Sequence, residues 1–162
     1  MKTLYMVRHA KSSWKYDVED HQRPLKGRGK NDAALVSQHV KNLVKPPQRI
    51  VSSDANRART TASYFMNAFN VAEDDFELNH DLYDFSGQQV IKSVKKLDES
   101  LNVVMIVGHN HAFTSIVNML GNQYIENLPT CGFVAIEFEE DSWDQISTGI
   151  TKHAVFPRHL KD

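Results

Sequence analysis

The sequence predicts an α/β protein, a three-layer α/β/α sandwich with a mostly parallel central sheet. Three observations carry the prediction. The apolar runs at 4–7 and 103–107 read as strands buried on both faces, as central strands of parallel sheets are. Segments with helical apolar spacing lie between the candidate strands. No repeat, linker or low-complexity tract interrupts the alternation, so helices are expected on both faces of one sheet.

The elements follow in order. Leu4-Tyr5-Met6-Val7 forms the first strand and ends on Arg8-His9. Residues 13–23 are polar, with Trp14 and Tyr16 embedded, and read as a loop over the strand end that closes at Pro24-Leu25. Over 27–44, Ala33, Ala34, Val36, Val40, Leu43 and Val44 recur at helical spacing until Pro46-Pro47 stops the helix. Arg49-Ile50-Val51-Ser52 reads as a short buried strand. Ser53-Asp54 offers cap chemistry for a helix through Ala58, Ala62, Phe65 and Phe69. A strand over 77–83 leads into a loop, and a helix over 87–97 buries Val90, Ile91, Val94 and Leu97. The central strand at 103–107 runs into Gly108-His109-Asn110, followed by a helix over 112–120 with Gly121 as terminator. Two closing strands are expected at 133–138 and 143–151, where Glu137 and Glu139 alternate with Ile136 and Phe138.

Composition bounds the partners. A chain of 162 residues suits one domain, 1–162, with a core large enough to fold without staples and no second catalytic or cap domain. The hydrophobic fraction of 41% and charged fraction of 24% exclude a disordered or fibrous protein. A formal net charge of −1 makes no global case for nucleic acid or an anionic membrane. The local basic cluster Arg23, Lys26, Arg28 and Lys30 reads as a solvated turn and helix start. Cys131 is the sole cysteine, so no internal disulfide can form; it reads as a packed or edge thiol rather than a nucleophile. The apolar stretch after Lys2 is too short for a signal peptide and no segment is long enough to span a bilayer, so the expected location is the cytoplasm.

Three strand ends carry the chemistry. Arg8-His9, Ser52-Ser53 with Arg57, and Gly108-His109 all close strands that are expected to be parallel, and parallel strands present their C-terminal ends on one sheet edge. Arg8 offers a permanently charged fork for phosphate oxygens, and His9 a nucleophile or base usable near neutral pH. Arg57 falls in the first turn of its helix, where free N–H groups and the helix dipole favour an anion. Arg59, two positions on, projects away. His109 has a second reading as a helix cap. His109 and His111 have the look of a metal pair, but no matching Cys, Asp or Glu cluster lies nearby and alternate residues at a helix start diverge, so no metal is expected.

Together, Leu4-Tyr5-Met6-Val7-Arg8-His9-Ala10-Lys11-Ser12, Ser52-Ser53-Asp54-Ala55-Asn56-Arg57-Ala58-Arg59-Thr60-Thr61-Ala62 and Val107-Gly108-His109-Asn110 resemble the histidine phosphatase superfamily, whose fold is phosphoglycerate mutase-like. The short chain and the Arg-His-Ala-Lys-Ser form resemble its SixA-type phosphohistidine phosphatases, and Arg23-Pro24-Leu25 with Gly29 resembles the segment before the family's first long helix. The resemblance implies that His9 attacks phosphorus and is transiently phosphorylated. It also implies that Arg8, Arg57 and His109 hold the phosphoryl oxygens, that Ser12 adds a hydrogen bond, and that no cofactor is needed. His9 must be neutral to attack, so activity falls in acid unless the arginines depress its pKa enough.

Two departures stand out. The superfamily often carries a glutamate or aspartate after the middle strand, whereas this chain reads His80-Asp81-Leu82-Tyr83-Asp84-Phe85. Asp84 is the candidate general acid, with a turn or helix cap as its alternative role. His111-Ala112 replaces the proline and glycine common after the His-Asn pair. Short connections leave the pocket open, which favours a phosphorylated protein over a small phosphorylated molecule as partner. A phosphatase of small phosphomonoesters, a mutase and a non-catalytic phosphate-binding module remain the alternatives.

Overall fold

The computed structural model describes residues 1–161. Six strands form one sheet in the order β3-β2-β4-β1-β5-β6, with β1 at Lys2–Arg8, β2 at Arg49–Ser52, β3 at Phe76–Leu78, β4 at Val103–Gly108, β5 at Phe133–Phe138 and β6 at Ile150–Val155. The pairs β1/β4, β2/β4 and β2/β3 are parallel, while β5 runs antiparallel to both β1 and β6. The helices are α1 at Gly27–Lys41, α2 at Asn56–Phe69, α3 at Gln88–Lys95 and α4 at Ala112–Leu120. None of them is long and apolar enough to cross a membrane.

The two-residue period of β1 divides the core. Leu4 and Met6 pack with Val90 and Val94 of α3 and with Phe113, Ile116 and Val117 of α4. Tyr5 and Val7 point the other way, into Ala33, Val36 and Val40 of α1 and Ala58, Ala62 and Phe65 of α2. Each helix buries one stripe against the sheet, which gives the three layers.

Three expected elements differ from those observed. The strand expected over 77–83 is confined to Phe76–Leu78, because Asn79 caps a 3-10 turn over His80–Leu82 by accepting a hydrogen bond from the Asp81 N–H. The last strand shifts to Ile150–Val155. Trp143 is instead fully buried in a 3-10 turn, where its indole N–H donates to the Leu101 carbonyl at 2.8 Å. The Asp54 carboxylate does not cap α2: it receives His21 and His80, while Ser53 Oγ accepts from the Ala55 N–H at 3.2 Å.

Candidate active site

Strand register builds the site. Arg8 lies opposite Gly108, and Ser52 opposite Val107, so His9, Ser53 and His109 leave the same sheet edge. Backbone hydrogen bonds tie these exits together: the His9 N–H donates to the Gly108 carbonyl at 3.0 Å and the Ser53 N–H to the Val107 carbonyl at 2.9 Å. From the other side, the Cys131 N–H reaches the carbonyls of Arg8 and His9 at 2.9 and 3.1 Å. Thr61 of α2 accepts from the Ala10 N–H at 2.9 Å and donates to the Arg57 carbonyl at 2.8 Å, which couples the loop after His9 to the first turn of α2. The helix α1 approaches so closely that a Cβ on Gly29 would stand 2.1 Å from the Lys11 carbonyl oxygen; only glycine fits there.

His9, His109, Arg8 and Arg57 are brought together as the sequence predicts. The imidazoles of His9 and His109 lie 5.2 Å apart between centroids. His9 Nδ1 is 2.7 Å from the Ala10 carbonyl, which can only accept, so Nδ1 carries the proton and Nε2 keeps its lone pair. His109 is fully buried; its Nε2 shares a hydrogen bond of 2.9 Å with Ser53 Oγ, and Tyr83 and Phe85 stand edge-on or tilted against its ring. Its expected alternative role as a cap belongs to Asn110, whose Oδ1 accepts from the Thr114 N–H in the first turn of α4 at 3.0 Å. Arg8 donates to the Leu128 carbonyl at 2.8 Å.

Burial dominates the electrostatics. It pushes His9 down to about 3; the hydrogen bond to Ala10 opposes this, and the charges of Arg57 and Arg8 reinforce it. His109 is held at about 2 by burial first and then by His9 and Arg57. Both rings are therefore neutral near pH 7. Two buried N–H donors, Arg8 Nε and Arg57 Nε, and the buried ring nitrogen His109 Nδ1 have no protein partner, and a buried polar atom left unpaired is costly unless a ligand meets it.

Two participants were not legible as such in the sequence. Asp20 is one: its carboxylate accepts from Arg57 at 3.0 Å, from Arg23 Nε at 3.0 Å and from the Tyr83 hydroxyl at 2.6 Å, while its backbone carbonyl accepts from Arg57 at 2.8 Å. Burial raises its pKa, but the hydrogen bonds from Tyr83 and Arg23 and the Arg57 charge outweigh that and bring it to about 2. Arg23 is the other. Its expected role as a solvated charge is overturned, since only 6% of it is exposed and its guanidinium donates to Ser12 Oγ at 2.7 Å, whereas Lys26, Arg28 and Lys30 are exposed as expected. The Asp20-x-x-Arg23 spacing was the available signal. Ser12 lines the same pocket of about 440 Å³ as Arg8, His9, Arg57 and Asp20.

Asp84 is not a pocket residue. Its carboxylate caps α3, with Oδ2 accepting from the Gly87, Gln89 and Val90 N–H groups at 3.0–3.2 Å and Oδ1 from Ser86. Burial raises its pKa, yet the bonds from Val90 and Ser86 prevail and lower it, so Asp84 stays ionised and committed to the helix. Arg59 and His111 are exposed, and His111 diverges from the buried His109.

A family model of the histidine phosphatase superfamily (branch 1) matches residues 4–88, and the chain belongs to that superfamily. An uncharacterized chloroplastic protein of Arabidopsis thaliana is 31% identical over 160 residues, covering 89% of this chain and 70% of its own. Among solved structures, the protein histidine phosphatase SixA complexed with tungstate has a TM-score of 0.83 at 18% identity, covering 98% of this chain and 99% of that one. A mycobacterial glucosyl-3-phosphoglycerate phosphatase has a TM-score of 0.68 at 13% identity, with coverage of 94% and 98%. The fold is thus the phosphoglycerate mutase-like α/β sandwich that these structures share.

Proposed function

We propose that the protein is a SixA-type phosphatase that works through a phosphohistidine intermediate on His9 and removes phosphate from phosphohistidine in a protein. The observation that carries this reading is the His9 tautomer: Nδ1 is committed to the Ala10 carbonyl, and the free Nε2 shares a pocket with Arg8 and Arg57. His9 Nε2 attacks phosphorus, the P–N or P–O bond to the leaving group breaks, and water then cleaves the new P–N bond to release phosphate and free His9. Arg8 and Arg57 hold the equatorial oxygens. His109, with Nε2 taking the Ser53 proton, supplies its Nδ1–H. That the structurally similar SixA is complexed with tungstate, an oxyanion, is in keeping with an anion-binding role for this fold. Two guanidiniums supply the positive charge and the neutral His109 ring a hydrogen bond, so no metal is required for this step.

The carboxylates support a phosphohistidine substrate. Among the described residues Asp20 is the one acid lining the pocket; it is ionised and held by two arginines, and Asp84 is a helix cap. An alkyl phosphate needs its alkoxide protonated, whereas imidazole is a good leaving group. The rim also suits a protein surface. Trp14 is 78% exposed while its ring lies 3.5 Å from the Arg23 guanidinium, and the exposed Phe85 lines the same pocket.

The test compares a phosphohistidine-bearing protein with a panel of metabolite phosphates at matched concentration. Preference for the phosphoprotein is expected, and a preference of several orders for one metabolite would overturn the substrate assignment. Phosphate release from an activated aryl phosphate in EDTA is expected to proceed unchanged; its abolition would overturn the mechanism.

A further inference from the structure

His21, Asp54 and His80 form a second cluster of chemistry-bearing side chains, outside the phosphate pocket and unused by the mechanism above. His21 Nε2 lies 2.9 Å from Asp54 Oδ1, and His80 Nδ1 lies 3.0 Å from both Asp54 oxygens. One ligand atom from each residue fits within 4.8 Å of the others. A tetrahedral ion with bonds of about 2.0–2.2 Å sets its ligand atoms roughly 3.3–3.6 Å apart, so its entry asks the two His–Asp contacts to lengthen by roughly half an ångström, within reach of side-chain rotation. Asp54 and His21 are partly buried, and His80 is 68% exposed on its side chain, which leaves an entry path and a fourth position open to solvent.

We propose that these three residues bind a divalent transition-metal ion, Zn²⁺ by chemistry, as a clamp across the active-site loops. Two imidazoles and one carboxylate disfavour Mg²⁺ and Ca²⁺, which take oxygen ligands, and suit Zn²⁺. The ligands come from three separate segments, each continuous with the phosphate pocket. His21 follows Asp20, Asp54 follows Ser53, and His80 begins the turn that ends on Tyr83. The rings of His21 and His80 pack on Tyr83 at 5.1 and 5.6 Å, and Tyr83 in turn packs on His109. An ion replaces the protons that the two imidazoles now direct at Asp54 and joins the three segments by coordination bonds. The Gln22 side-chain amide, 3.2 Å from His21 Nδ1, can turn its oxygen to the ring and hold the proton on Nδ1, leaving Nε2 for the ion. The ion takes no part in phosphoryl transfer, so the inference stands apart from the proposed function and is read without turnover.

The experiment is titration of the EDTA-stripped, dialysed full chain with ZnCl₂ by calorimetry, and with CoCl₂ by visible absorption, followed by thermal melts. Wild type and His9→Ala are expected to take one equivalent with equal affinity. A rise in Tm of several degrees is expected at about 100-fold excess over Kd. His80→Ala, at an exposed position that folding tolerates, and Asp54→Asn are expected to weaken binding at least about tenfold and to lose the rise in Tm. No Zn²⁺ uptake at micromolar concentration by wild type would overturn the proposal. So would wild-type affinity in His80→Ala, or loss of binding in His9→Ala, which would place the ion in the phosphate pocket.

Discussion

Arg57 and Asp20 are joined twice, the guanidinium donating at 2.8 Å to the Asp20 carbonyl and at 3.0 Å to its carboxylate. The pairing fixes the arginine proposed to hold a phosphoryl oxygen, and the same carboxylate fixes Arg23. Asp20→Ala releases both guanidiniums. Since misplacing a positioning group by about 1 Å can cost about 10² in rate, kcat/KM is expected to fall about 10- to 100-fold in steady-state assays. An unchanged value would show that Arg57 keeps its place without Asp20.

His9→Ala deletes the proposed nucleophile. Turnover is expected to fall by about 10⁴-fold or more, and acid-labile phosphate trapped on the protein during turnover to disappear. A normal rate in this variant would move the nucleophile elsewhere.

The depressed histidines predict two pH dependences. With His9 at about 3, the nucleophile is already neutral in mild acid, so kcat/KM is expected to stay level from about pH 7 to about pH 5 once substrate ionisation is divided out. Stability behaves differently. In the unfolded chain both imidazoles titrate near 6.5, but in the native state they resist protonation down to about 3 for His9 and about 2 for His109. Below 6.5 the unfolded state binds protons that the native state does not, so stability is full above that pH and declines as pH falls toward 3. Each group contributes a slope of up to about 1.4 kcal/mol per pH unit inside that window. Thermal melts from about pH 7.5 to about pH 4.5 should show the decline, and His109→Gln should make it shallower.

Gly29→Ala places a methyl 2.1 Å from the Lys11 carbonyl, against backbone that cannot swing aside. The helix α1 must back away from the loop after His9. Overpacking of this kind costs about 1–3 kcal/mol, so Tm is expected to drop by roughly 3–10 °C, accompanied by a loss of kcat/KM because Lys11 lies in the same loop as His9. A melt coincident with wild type would show that the approach is looser.

The α/β alternation, the two doubly buried strands β1 and β4, and the convergence of Arg8, His9, Arg57 and His109 are legible in the sequence. The physical reason is local. Apolar runs and helical periodicity specify elements, and parallel strands must present their C-terminal ends on one edge. Asp84 carried two readings, general acid or turn and helix cap, and the N–H groups of nearby residues at the start of α3 take it as the cap. Where a side chain's partner lies far along the chain, local pattern is silent. Asp20 and Arg23 looked like loop and solvated charge until the fold laid them on Arg57 and Ser12. His21, Asp54 and His80, spread over three segments, became neighbours only through the same folding. The folded structure sets which charges are paired, which buried donors are left without a protein partner, and which proton His9 keeps, because those depend on desolvation and on contacts between distant residues.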